Sequence, residues 1–272
     1  MTTTEVEALA TLAWLVEAGA DEAIGDAPLN RFGAQDPHSP PRPAVPSAPI
    51  SQPDRFRSPV SESDSVGGAI DLARACRTLA ELRAALETFD GISLKRTATS
   101  TVFADGNPES RIMVIGEAPG RDEDRQGLPF VGRAGKLLDK MLAAIDLDRT
   151  RAYITNVINW RPPGNRDPSP EEVAMCMPFL RRHIELANPA LLILLGAVAV
   201  RHVMGKSEGI LKTRGQWLEY NVSGTMVPAM PTLHPAYLLR QPSHKNLVWR
   251  DLQAVERKMI ELRLPETRAA TT

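Results

Sequence analysis

The stretch "VIGEAPGRDEDRQGLPFVGRAG", Val114 to Gly135, decides how the rest of the chain is read. An apolar run ends in a Gly-Glu-Ala-Pro-Gly turn, five consecutive charges follow, and a Pro-Phe-Val-Gly turn closes the segment. Gly and Pro punctuate turns and charges sit outside, which accounts for most of it. Phe130 is left over, stranded among polar residues. It suits a core plug or a stacking platform for a flat ring about equally.

Working outward, short apolar runs alternate with helical patterns. Ile112–Ile115 is followed by 133–146, and Tyr153–Ile158 by 170–187; Leu191–Leu195 leads into 196–204, and Met226–Leu233 into 245–263. The runs are mostly continuous, as strands covered on both faces should be. This alternation predicts an α/β fold, a three-layer α/β/α sandwich around a central, mainly parallel four-stranded sheet. Ligands of such sheets bind beyond the C-terminal ends of the strands. The GEAPG turn, Asn156, Gly196 and "HPAYLLR" all fall there.

Upstream, residues 4–24 set Val6, Leu9, Leu12, Leu15 and Val16 at helical spacing, predicting an amphipathic helix within 1–26. Residues 27–66 hold nine prolines without apolar periodicity and read as a disordered linker. The globular unit is expected over 67–265, opening with one helix at 69–88, and 266–272 as a flexible tail.

The net charge of −1 hides an asymmetry. Residues 1–66 carry 4 basic and 10 acidic side chains, leaving 32 − 4 = 28 basic and 33 − 10 = 23 acidic, or +5, for the remainder. A mildly basic body is compatible with a polyanionic partner. Two cysteines, Cys76 and Cys176, exclude a disulfide framework and a cysteine-only metal site. No segment is apolar enough to span a membrane, and the polar, acidic N-terminus lacks a secretory pattern, so the expected location is cytoplasmic.

Several residues at the strand ends carry possible chemistry. Gly116 and Gly120 permit close approach of backbone N–H groups to a ligand. A phosphate loop is absent, because Phe130 and Val200 stand where its first glycine belongs before Lys136 and Lys206. Glu117, Glu123 and Asp124 could orient or deprotonate a water, or form a solvated charge run. Asn156 offers a donor and an acceptor to a base edge, or caps a turn. His234 precedes Pro235, which shapes the turn beyond it. In "RPPGNRDPSPEE" Ser169 fits the capping box of the next helix. Leu238 and Leu239 beside Arg240 and Lys245 have the composition of a duplex wedge, or of an ordinary helix start.

Taken together, "GEAPG…ED…G-PFVG-AG", "YITNV", "RPP-NR-P-P-E…C" and "HPAYLLR-P" resemble the uracil-DNA glycosylase superfamily, and within it family 4, from about Val102 to about Leu262. The resemblance implies hydrolysis of the N-glycosidic bond of a uracil flipped out of single- or double-stranded DNA, initiating base excision repair as part of a bacterial nucleoid-associated activity. It implies a pocket of Gly116, Ala118, Glu123, Phe130 and Asn156. In it Phe130 stacks on uracil, Asn156 reads its edge, and Glu123 crowds its C5. Glu117 is implied to position the water, with Asp124 as a further carboxylate, and His234 to donate to the leaving base. Asn165, Arg166, Leu238, Leu239, Arg240 and Lys245 are implied to contact DNA. No metal serves this chemistry, and the protein is expected to act as a monomer.

One departure stands out. Family 4 carries an iron–sulfur cluster on four cysteines, of which this chain keeps one, Cys176; Trp160 stands where the third belongs. A cluster needs about four thiolates. The expectation is therefore a cofactor-free member in which Phe89, Ile92 and Trp160 form an apolar plug. Two rival functions follow from the same residues: a non-catalytic damaged-DNA-binding protein, and a glycosylase for hypoxanthine or xanthine.

Overall fold

The computed structural model describes residues 62–264. The proposed helix within 1–26, the linker up to residue 61 and the tail at 266–272 lie outside the described residues. The linker ends earlier than expected, because helix α1 begins at Glu62 (Glu62–Ala75). The single helix expected at 69–88 is two, α1 and α2 (Leu79–Thr88). Thr78 separates them: its hydroxyl accepts from the Glu81 amide at 3.1 Å, and Glu81 accepts from the Arg77 amide. Such an N-cap starts a new helix rather than continuing the old one.

A short helix α3 (Leu94–Thr97) leads to β1 (Ala104–Gly106) and then β2 (Ile112–Gly116). Helices α4 (Arg121–Gln126) and α5 (Arg133–Ala143) precede β3 (Tyr153–Asn156). Next come α6 (Pro170–Ala187), β4 (Leu191–Leu195), α7 (Gly196–Met204) and α8 (Ile210–Thr213). The hairpin β5 (Leu218–Val222) and β6 (Thr225–Thr232) is followed by α9 (Pro235–Arg240) and α10 (Lys245–Glu261).

The sheet has six strands in the order β1-β3-β2-β4-β6-β5. The four expected strands form its parallel centre, and β1 and β5 add antiparallel edges. The fold class stands; the strand count is corrected from four to six.

Period-two alternation sends successive side chains of each strand to opposite layers. Met113, Ile115, Tyr153, Leu192, Leu194 and Ala229 face α1, α2, α6 and α7. Ile112, Val114, Ile154, Leu191, Ile193 and Met230 face α5, α9 and α10. Leu138, Met141 and Leu142 recur at helical spacing on α5 and bury against this second face. Each such side chain contributes roughly 1.5–3 kcal/mol.

Because the central strands are parallel, their C-terminal ends lie on one edge of the sheet. In the β2–β3 register Gly116 pairs with Asn156. The ladder continues beyond the strands, with Val157 and Ile158 amides donating to the Gly116 and Glu117 carbonyls. The backbone carrying Glu117 is therefore pinned to the one carrying Asn156. Among the described residues no helix is long and apolar enough to cross a membrane.

Candidate active site

A cavity of about 410 Å³ opens at this edge. Strand β2 delivers Glu117 and Ala118, β3 delivers Asn156, and the residues just after β6 deliver His234. Phe130 enters from the loop between α4 and α5, Asn165 and Arg166 from the loop before α6, and Arg240 from the end of α9. These segments lie up to 123 residues apart in sequence, from Glu117 to Arg240. Asp167, Tyr237 and Ala134 are among the lining residues that sequence reasoning did not single out.

The floor is built around Gly116. A methyl group there would overlap both the Asn156 side-chain oxygen and the edge of the Phe130 ring, so glycine is what lets the two approach. Phe130 is buried and takes a left-handed backbone, φ 56°. That region costs a non-glycine residue about 1–2 kcal/mol, so neighbours must hold it there. Its ring lies 5.6 Å from the His234 ring, centroid to centroid, tilted by 33°.

Asn156 is buried, and among the described residues its Oδ1 is the buried side-chain oxygen with no hydrogen-bond partner. An unmet buried acceptor costs about 1–3 kcal/mol unless something donates to it. His234 caps α9, its Nδ1 accepting from the Ala236 amide at 3.2 Å. That bond fixes the tautomer with Nε2 as the donor. Although part of the ring faces the cavity, burial, helped by the Arg240 charge, lowers its pKa to about 4. The imidazole is neutral at physiological pH. Gly196, in the left-handed region at φ 89°, lies against the His234 Cβ, where any larger residue would press on it.

Glu117 is half-buried. Desolvation raises its pKa above the usual carboxylate range, the Asp167 charge adds to this, and Arg240 opposes it.

Two carboxylates expected at the chemistry have other employment. Asp124 is absent from the cavity lining; it is buried, and its Oδ1 accepts from the Thr99 and Ser100 amides at 2.8 and 3.1 Å. It ties the segment before β1 to α4. Glu123 lines the cavity, but its oxygens accept from the amides of Gly120, Val131 and Gly132. It braces the turn on each side of α4.

The expected DNA contacts divide as well. Leu238 is buried in the core, 1% exposed, so it is no wedge; Leu239 beside it is 38% exposed. The pattern of two adjacent leucines could not say which one faced inward. Arg240 is exposed at the cavity rim and Lys245, outside the lining, begins α10 in solvent. Arg166 grips Glu172 with both terminal nitrogens, at 2.8 and 2.6 Å, and Asn165 Oδ1 accepts from Arg161. Both still line the cavity, with part of their bonding spent on holding their own loop.

An aromatic ring, an amide with an open acceptor, a neutral imidazole donor and a half-buried carboxylate converge on one cavity. The family model described as "Uracil DNA glycosylase superfamily" matches residues 103–253, more than half of the chain. The chain belongs to the uracil DNA glycosylase superfamily.

Within it, the chain is 44% identical over 158 residues to a type-4 uracil-DNA glycosylase of Thermotoga maritima, covering 57% of this chain and 81% of that one. A type-4 enzyme of Archaeoglobus fulgidus is 43% identical over 153 residues, covering 55% and 77%. A type-5 uracil-DNA glycosylase of Pyrobaculum aerophilum is 32% identical over 114 residues, covering 36% and 50%. The resemblance to family 4 is thus the stronger one.

The iron–sulfur cluster of family 4 does not fit the residues present. Cys76 and Cys176 are free and buried, and burial pushes the Cys176 thiol up to about 12. Among the described residues no group of three or more His, Cys, Asp or Glu side chains could hold a metal ion. Trp160, Ile92, Cys176 and Phe179 are buried in one cluster, with Phe89 packed on it at 5.1 Å between the Phe89 and Phe179 rings. Trp160 Nε1 donates to Thr101 Oγ1 at 3.0 Å, so even its polar atom is met. Close-packed side chains occupy this part of the fold.

Proposed function

We propose that the protein is a monofunctional uracil-DNA glycosylase that removes uracil from DNA and leaves an abasic site. The observation that carries this reading is the unmet Asn156 Oδ1 above Gly116, beside the Phe130 ring. Uracil presents N3–H as a donor next to O4 as an acceptor, and an amide complements both. Cytosine presents no donor at N3, and its exocyclic amine opposes the amide's own donor. A site built to hydrogen-bond a group rejects analogues that lack it by large factors, because buried polar atoms are then left unpaired.

The base must leave the stack to reach this pocket. Phe130 stacks on the flipped ring and Asn156 holds its edge. His234 Nε2–H donates to uracil O2, where charge gathers as the N1–C1′ bond breaks and the base departs with the bonding electrons. Preorganised donors of this kind are worth about 10²–10³ in rate. A neutral imidazole suits the task, since it donates without first needing a proton. Glu117, as a carboxylate, orients the water and offsets positive charge on the sugar. The water oxygen forms the new bond to C1′, its proton passes to Glu117 or solvent, and the uracil anion is protonated from solvent. Glu123 keeps the wall near C5 stiff against thymine's methyl group.

Arg240, Lys245 and exposed Leu239 form the DNA-facing rim, with Leu239 entering the space vacated by the base. Asn165 and Arg166 bound the opposite wall. The glycosylase unit runs from residue 62 to about 265, works as a monomer on cytoplasmic DNA, and needs neither the preceding segment nor an iron–sulfur cluster. Deleting residues 1–60 leaves excision intact under this reading.

The test is alkali-induced scission of a labelled oligonucleotide bearing one uracil, beside cytosine, thymine and hypoxanthine controls. Cleavage at uracil alone supports the reading. Tight binding without cleavage points instead to a damaged-DNA binder, and cleavage at hypoxanthine in preference to uracil to another base specificity.

A further inference from the structure

Arg149 lies outside the cavity, in the connection between α5 and β3, with its side chain a quarter exposed. All three of its guanidinium nitrogens are engaged. Nε donates to Asp139 Oδ1 at 3.0 Å, and Nη1 to Asp105 Oδ2 at 2.5 Å. The remaining bonds run to two consecutive backbone carbonyls: Nη1 to Pro129 O at 3.0 Å and Nη2 to Phe130 O at 2.5 Å.

In an extended chain successive carbonyls point to opposite sides. Here both address one guanidinium, which requires a helix-like twist between them. The left-handed backbone of Phe130, φ 56°, supplies that twist. The same carbonyl of Phe130 lies so close to Gly135 that a Cβ there would overlap it. Two aspartates on separate elements, α5 and β1, aim the guanidinium; the guanidinium fixes the turn; the turn places the ring over Gly116. Arg has the planar fork this requires, and Lys does not.

We infer that Arg149 is a positioning residue for base recognition, one that acts through Phe130 by holding the Pro129–Phe130 turn in its strained conformation. This inference rests on the uracil reading for its functional consequence, though the brace itself does not. Misplacing a stacking surface by about 1 Å can cost on the order of 10²-fold in rate.

The experiment is a double-mutant cycle in single-turnover excision of uracil from an oligonucleotide, using the full chain. Arg149→Met is expected to slow excision by about 30- to 100-fold, whereas on a Phe130→Ala background it changes the rate by less than about threefold, because its route is already removed. Arg149→Lys, able to reach one carbonyl, falls between. Inhibition by free uracil weakens in Arg149→Met by a similar factor while affinity for abasic-site DNA is unchanged, a split that general loss of fold does not produce. Equal losses with and without Phe130, or unchanged uracil inhibition, would overturn the inference. If the wild-type protein leaves uracil untouched, the functional reading falls, and a crystal structure of Arg149→Lys or Arg149→Met still decides the brace. Phe130 keeping its positive φ and its place over Gly116 would refute it.

Discussion

The two loops that wall the cavity are braced in opposite ways. The inner one, Pro129 to Gly135, is tied from beneath by buried or half-buried partners: Arg149 on its carbonyls, Glu123 on its amides, and Gly135 lying against Phe130. The outer one, Arg161 to Pro168, is tied by exposed side chains of its own, Arg166 reaching the buried carboxylate of Glu172 and Arg161 bonding Asn165. The inner loop holds a strained aromatic in one place. The outer loop carries Gly164 and Asn165 in left-handed backbone with open space around Gly164. Under the proposed function, the contrast teaches where precision is spent: on the surface that would meet the base, less on the one that would border the strand.

Glycine-to-alanine substitutions break the comparison most sharply. Gly135→Ala must displace the Phe130 carbonyl and is expected to lower uracil excision by about 100-fold, with about 1–3 kcal/mol lost from unfolding free energy. Gly164→Ala meets only backbone strain, costs about 1 kcal/mol, and leaves excision nearly intact. Similar losses in both variants, by denaturant titration and single-turnover kinetics, would erase the distinction.

The adjacent leucines of α9, one in the core and one exposed, come next. Leu238→Ala is expected to cost about 2–5 kcal/mol of stability, as a core truncation. Leu239→Ala stays within about 0.5 kcal/mol, yet slows excision from duplex more than from single-stranded DNA. A stability cost for Leu239→Ala would contradict its exposed placement.

A subtler change sets the outer loop against the floor. Under the proposed mechanism Glu117 acts ionised, and its pKa is raised, so excision is expected to fall as pH drops through a value above the ordinary carboxylate range. Asp167→Asn removes the neighbouring charge that adds to the desolvation, and the acid limb of the pH–rate profile should move to lower pH. His234, with its pKa lowered to about 4, stays neutral across this window and does not contribute the limb. A limb unmoved by the substitution would detach Asp167 from Glu117.

The smallest effect is expected for Arg166→Ala. Its pair with Glu172 is half in solvent on the arginine side, and the buried Glu172 keeps the Ser169 amide as a donor at 2.8 Å, so the loss should be about 1 kcal/mol or less. A larger destabilisation would make the outer loop as firmly built as the inner one.

These contrasts also mark what the sequence could reveal. The four central strands announced themselves as continuous apolar runs, and the residues at their C-terminal ends arrived where parallel topology sends them. The edges were harder. Strand β1 is three half-buried residues, Ala104, Asp105 and Gly106, with no apolar signature. Strand β5 does alternate, Leu218, Tyr220 and Val222 on one side, but Glu219 and Asn221 between them break the continuous apolar run that marked the central strands. The break between α1 and α2 was written locally, as Thr78 three residues before Glu81. Arg149 had no such local mark, because its partners lie 10 to 44 residues away. Asp124 misled because a carboxylate's chemistry is set by what donates to it, and Thr99 and Ser100 lie about 25 residues upstream.

The packed region around Trp160 bears on how such an enzyme meets its surroundings. Both thiols of the chain are buried, and burial raises the pKa of each. Oxidants attack thiolate, which these sites disfavour. Under the cofactor-free reading, a repair activity held together by a tryptophan and its neighbours draws nothing from the cell's iron supply. Its two buried thiols offer oxidants little thiolate to attack.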